Sequence, residues 1–271
     1  MRFRIRHETH YRYGAPVALG PHVLRLRPRE DGVQRLIGFD LEIFPAPATR
    51  CVALDAAGNV VEHAWFAGQT RELRIVATAE VETLRRNPFD YVPAERDDNA
   101  APLLAAYGGA GQAPEVEAFA AAASARAGPG AVAALDALNQ AIHARVHREI
   151  RDDGRPAQTA AETLALGRGA CRDLTVLFMA CARALGYAAR FVSGYRRGDL
   201  ARPDRHLHAW AEAYVPGGGW RGWDPVEALA VADAHVALAA APGQDGTMPV
   251  SGAYRGEASA ALEYAVRIAV D

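Results

Sequence analysis

Cys171 stands between Gly169-Ala170 and a run in which Leu174, Leu177, Phe178, Cys181 and Leu185 share one helical face. That spacing predicts a helix starting near Cys171, with the sulfur at its N-terminus. Unpaired N–H groups and the helix dipole there favour a thiolate, the reactive form of cysteine. His208 follows 37 residues later in the strand-like run His206-Leu207-His208-Ala209-Trp210. Asp224 comes 16 residues further, after Trp220-Arg221-Gly222-Trp223 and before Pro225. A cysteine at a helix start, with a histidine and an aspartate on successive strands, is a set suited to nucleophilic acyl chemistry. The histidine takes the thiol proton and later protonates the leaving group. The aspartate bonds the other ring nitrogen and fixes its tautomer. The other two cysteines read differently: Cys181 lies on the apolar helix face, and Cys51 sits in a candidate strand.

The neighbours of these residues carry alternatives. His206 lies two positions from His208, so on a strand both point to one face; it reads as an alternative base or a cleft-edge residue. Asp173 would raise the Cys171 pKa unless a cation neutralises it, and Arg172 and Arg190 are candidates. Asp173 itself reads as structural. Trp210 and Trp223 flank the chemistry and read as packing. His143 and His147 have metal-type helical spacing but no third ligand, so no metal is expected. The Cys171 N–H is a natural oxyanion donor; a second, upstream donor is open between Gln140 and Gln158.

The elements that must position these groups fall into blocks. Residues 1–86 alternate and break at Gly14-Ala15-Pro16, Gly20-Pro21, Pro45-Ala46-Pro47 and Ala57-Gly58-Asn59. Short strands around 3–7, 23–27, 41–44, 59–66 and 73–81 follow, as in an antiparallel β-sandwich. Pro and Gly then mark 87–114 as a linker or domain-crossing segment. From 115 to 271 helices precede strands. Val132, Leu135, Leu138, Ile142, Val146 and Ile150 give a helical stripe over 131–150. Thr159 and Glu162 form a capping box, and Gly167 and Gly169 stop the short helix after it. Strands are expected at 189–195, 207–215 and 220–224, and a last one at 262–270.

Composition narrows the chemistry. The chain has 271 residues, a net charge of −2, 50% hydrophobic and 23% charged residues. That balance suits a globular protein and gives no basic footprint for a nucleic-acid partner. All thirty basic residues are Arg. Without Lys there is no Schiff base, no P-loop lysine and no lysine general base. Three Cys argue against a disulfide framework. The start MRFRIRHETHYRYG lacks an apolar signal region, and no apolar run has spanning length. A cytoplasmic setting with no membrane contact is the expectation.

Gly169-Ala170-Cys171-Arg172-Asp173-Leu174, Arg183 to Tyr195, His208-Ala209-Trp210-Ala211-Glu212 and Gly219-Trp220-Arg221-Gly222-Trp223-Asp224-Pro225 resemble, in order, the core motifs of the bacterial transglutaminase-like superfamily. The strands before them resemble the β-rich domain that precedes this core in a cysteine peptidase branch. The resemblance implies an α+β chain: an N-terminal antiparallel β-sandwich, then a papain-like core of helices packed on an antiparallel sheet. It implies a catalytic Cys171, His208 and Asp224, with no metal or organic cofactor. The implied chemistry is hydrolysis of a peptide or isopeptide amide in a peptide or protein substrate, through a thioester. Acyl transfer to amines is the alternative, and a non-catalytic scaffold of the same fold is the rival. Arylamine acetyl transfer, also run by Cys, His and Asp, fits these motifs less well. Arg172, Thr175-Val176 and Val226 depart from the family's usual Gln, Ala-His and Thr or Ser.

Overall fold

The alternation of Phe3, Ile5 and His7 with Arg2, Arg4 and Arg6 continues well past the first turn signals. The computed structural model describes residues 1–94, 100–109, 111–151, 155–198 and 206–271, and its first strand, β1, runs over Arg2–Leu24. The expected break between strands at 3–7 and 23–27 does not occur. Register shifts against its partners fall between Arg12 and Val17 and between Leu19 and His22. Pro16 and Pro21 therefore sit at irregularities, where a missing N–H costs no ladder bond.

The first half of β1 pairs with β5 (Thr70–Thr83) on one side and β14 (Ala260–Val270) on the other. Its second half pairs with β4 (Val60–Trp65) and β13 (Val250–Arg255). β2 (Gln34–Phe44) adds to β5, and β3 (Thr49–Leu54) to β4. The seven strands form one curled antiparallel sheet around buried Tyr13, Val17, Leu24, Leu41, Leu73 and Ile75. One boundary changes. The sequence blocks place 250–270 with the core, but β13 and β14 complete the N-terminal sheet.

Within 87–114 the chain forms helix α1 (Ala100–Tyr107); residues 95–99 and 110 lie outside the described residues. α2 (Pro114–Ser124) starts with proline, which needs no N–H there. α3 (Ala131–Arg145) ends before the expected 150: Leu135, Leu138 and Ile142 are buried, but Ile150 is 65% exposed. The chain turns extended at Val146 and enters β6 (His147–Arg148), which pairs with β7 (Arg168–Gly169). Between them α4 (Ala160–Leu166) has the full Thr159–Glu162 capping box and closes at Gly167, φ 64°.

α5 (Cys171–Ala184) leads into the second sheet: β8 (Ala189–Arg196), β9 (His208–Val215), β10 (Gly219–Asp224), β11 (Leu229–Ala230) and β12 (His235–Ala241), ordered β11-β10-β9-β8-β12. β12 is not visible as a strand in the sequence. It is Ala-rich and buried at every position, so it shows no alternation. α5 and α3 pack on this sheet, with Leu138, Leu174, Leu177 and Phe178 in one core with Phe191 of β8, and α2 and α4 pack on α5 behind it. Phe3, Ile5, Val81 and Val266 of the first sheet pack against Tyr195, Val236 and Leu238 of the second. Among the described residues no helix is long and apolar enough to cross a membrane.

Candidate active site

The start of α5 is fixed by Asp173, which is fully buried. Its Oδ2 accepts the Ala170 N–H at 2.7 Å and its Oδ1 the Gln158 N–H at 2.8 Å. The cation beside it is Arg151, 2.7 Å away, rather than Arg172 or Arg190. Arg172 donates to the Arg151 carbonyl at 2.9 Å and lines the cleft. Arg190 pairs with Glu212 at 2.7 Å and lies over the Trp220 ring, apart from the cleft lining. Gly169 is required at this turn, because a Cβ there would sit 2.8 Å from the Asp173 Cβ. These contacts leave Cys171 in the first turn, half-buried and facing the cleft.

β9 and β10 bring the other two groups in. His208 Nε2 donates to Asp224 Oδ2 at 2.7 Å. With that nitrogen occupied by Asp224, the other ring nitrogen, Nδ1, is not engaged by the carboxylate, and His208 lines the same cleft as Cys171. Asp224 is fully buried, and its Oδ1 accepts the Val226 N–H at 3.0 Å. Val226 thus serves through its backbone, so the missing Thr or Ser hydroxyl removes nothing from this bond.

Charge follows from these contacts. Burial pushes the Cys171 thiol up, but the hydrogen bond and charge of His208 and the Ala209 N–H outweigh it, and the pKa is lowered below 9. Burial lowers the His208 pKa, but Asp224 and Cys171 overcome this and raise it to about 10. Burial also disfavours the Asp224 carboxylate, yet His208 and His235 hold it far below the ordinary carboxylate range. These shifts favour a charged His208 and Asp224 and make the Cys171 thiol easier to ionise.

His235 escaped the sequence reading. It opens β12, is 4% exposed, and donates Nε2–H to the same Asp224 Oδ2 at 3.1 Å. Its only sequence signal is a histidine 11 residues after Asp224 in an Ala-rich run. His208, Asp224 and His235 present one ligand atom each within 4.8 Å, a set that suits a divalent metal by type. Asp224 already accepts three N–H donors, so its charge needs no ion to balance it.

The cleft holds about 700 Å³. One wall carries Ala170, Cys171, Phe191, Ser193 and His208; the facing wall carries His7, Tyr11, Met248, Leu262 and Tyr264 from the first sheet and the segment leading into it. His206 lines the mouth and shares a 2.7 Å hydrogen bond with the Tyr264 hydroxyl. Trp210 and Trp223 are buried, the first edge-on to His235 and the second stacked on Phe178. Tyr195 is buried behind the cleft and bonded to His7 at 2.9 Å. His143 is bonded to the Pro225 carbonyl, and His147 lies past the end of α3, so the two do not pair. Gln140 bonds the Ala228 carbonyl, and Gln158 sits beside Asp173; neither lines the cleft. Cys181 is buried, its thiol pushed up to about 12, and Cys51 is exposed.

Known proteins share this architecture. The bacterial transglutaminase-like N-terminal region matches residues 3–82, and the transglutaminase-like superfamily core matches 117–225. An uncharacterized protein of Mycobacterium tuberculosis is 29% identical over 250 residues, covering 83% of this chain and 78% of that one. An uncharacterized Mycobacterium leprae protein is 27% identical over 106 residues, 37% of each chain. The crystal structure of a Cytophaga hutchinsonii protein, described as an inferred cysteine protease, superposes with a TM-score of 0.73 at 21% identity, over 99% of this chain and 90% of that one. With both regions matched in order, and the fold shared over nearly its full length, the chain belongs to the transglutaminase-like superfamily.

Proposed function

We propose that the protein is a cysteine hydrolase of peptide or isopeptide amides. The reading rests on one observation above all: His208 is bonded to buried Asp224 at 2.7 Å and lines one cleft with Cys171, which stands in the first turn of α5. The Cys171 thiolate attacks the amide carbonyl carbon and forms a C–S bond. The Cys171 N–H, an unpaired donor of the first turn of α5, faces the developing oxyanion. His208 gives its proton to the departing amine as the C–N bond breaks, which leaves a thioester. Water, losing a proton to His208, attacks the thioester and frees the carboxylic acid and the thiol.

Acyl transfer is the same first half-reaction with an amine in place of water. The deciding experiment incubates the protein with glutamine peptides, with isopeptides, and with a tagged amine. Amide hydrolysis abolished by Cys171→Ala supports the proposal. Amine incorporation exceeding hydrolysis would assign acyl transfer instead. Absence of both, with the thiol no more reactive than free cysteine, would favour a scaffold.

A further inference from the structure

Asp224 Oδ2 is shared. Two imidazoles donate to this one oxygen, His208 at 2.7 Å and His235 at 3.1 Å, and both rings are buried with centroids 6.1 Å apart. The proposed chemistry uses only the first. An aspartate that only orients a histidine needs one donor from it; a second, buried histidine on the same oxygen changes what that oxygen does.

We propose that His235 is a positioning residue that moderates Asp224: by donating to Oδ2 it holds the carboxylate in line with His208 and draws down its pull on the His208 proton. This inference rests on the Cys171–His208–Asp224 reading given above. The reasoning is electrostatic. The N–H of His235 brings the positive end of its dipole to the oxygen that attracts His208. Whatever charge His208 acquires is opposed by that dipole, and the repulsion is mutual. Three charged or titratable groups bear on His235: Asp224 on β10, His208 on β9 and Arg196 on β8. Burial, His208 and Arg196 disfavour its charged form, and together they outweigh Asp224, so its pKa is lowered. It therefore acts as a neutral donor, with Nε2 protonated and Nδ1 bare; Nδ1 has no partner among the described residues.

The consequence concerns the second proton transfer. An imidazolium held too tightly by its carboxylate favours the thiolate but releases its proton to the leaving amine reluctantly. His235 sets the balance between these demands. Its edge contact with Trp210, at 5.1 Å between centroids, keeps the ring in place.

The test reads thiolate formation without a substrate, by the pH dependence of iodoacetamide alkylation at Cys171. His235→Phe removes the donor and keeps an aromatic ring; His235→Gln restores an N–H at similar reach. The Phe variant is expected to lower the alkylation midpoint by about half a pH unit or more and to slow turnover, while the Gln variant stays near wild type in both. An unchanged or raised midpoint in the Phe variant overturns the proposal. His208→Ala is the control: if it leaves the midpoint unmoved, the underlying reading fails instead. Nitrogen NMR of the wild-type histidines keeps the test independent of any variant's folding. A His235 ring protonated on Nδ1 between pH 6 and 9 also overturns the proposal, and protonation on Nε2 alone supports it.

Discussion

Asn59 closes both backbone groups of Ala240: its Oδ1 accepts the Ala240 N–H at 2.8 Å and its Nδ2 donates to the Ala240 carbonyl at 2.9 Å. Gln34 does the same for Ala237, at 2.8 and 2.9 Å. β12 is the edge of the second sheet, and these two amides from the first sheet's unit stand where a neighbouring strand's peptides would be. Asn59→Leu would leave two buried backbone groups without partners. We expect a loss of about 2–4 kcal/mol, read as a lower midpoint in urea unfolding.

Removing any member of the reactive line should cost more than its own contact. Cys171→Ala should abolish turnover. Asp224→Asn should lower kcat about 10³–10⁴-fold, because an amide no longer holds the tautomer that leaves Nδ1 basic. The double variant of His208 and Asp224 should be little worse than His208→Ala alone. Steady-state kinetics on any substrate found active checks all three.

The pH profile follows from the two opposed shifts. The Cys171 pKa is lowered, so the thiolate is lost only as pH falls through that lowered value. The His208 pKa is raised to about 10, so the imidazolium is lost only as pH rises through about 10. These values belong to the pair rather than to either residue. The expected kcat/KM profile has its acid limb below the ordinary thiol range and an alkaline limb near 10; an alkaline limb near 7 would contradict it.

His7 couples the two units to pH. It is buried, bonded to the Tyr195 hydroxyl, and burial lowers its pKa to about 4. Between about 6.5 and 4 the unfolded chain takes up a proton that the folded chain refuses, so stability falls as pH drops through that window. His7→Gln should remove this slope. The difference between the two proteins, measured by thermal melts from pH 7 to 4, should reach about 2–3 kcal/mol.

Gly194 lies opposite His208 in the β8–β9 ladder. A Cβ there would come 2.1 Å from the Val236 carbonyl oxygen and 2.7 Å from the Trp210 ring. Backbone cannot yield as a side chain does, so Gly194→Ala should cost about 2–3 kcal/mol and displace His208. Circular dichroism melts and thiol alkylation together separate the two effects.

Much of the site was legible because its residues sit at recognisable places. Cys171 follows a glycine turn into an amphipathic helix, and His208 and Asp224 lie in runs with a period of two. The Thr159–Glu162 box was equally readable, since capping is local. What escaped was non-local. Arg151 meets Asp173 from a segment with no motif. His235 hides in a strand whose burial on both faces erases alternation. β1 looked broken because its prolines fall at register shifts, which exist only once partners are in place. The membership of β13 and β14 in the first sheet depends on pairing across nearly the whole sequence.

That last pairing orders events during synthesis. β1 leaves the ribosome before every other described strand, and its partner β14 after all of them. The helices and strands between them emerge while the first sheet still lacks a strand on each half. Leu262 and Tyr264, which wall the cleft, are made after every residue of the reactive line. A nascent chain thus carries Cys171 before it has a finished cleft, and the wall that His7 and Tyr11 begin is completed only when translation reaches β14.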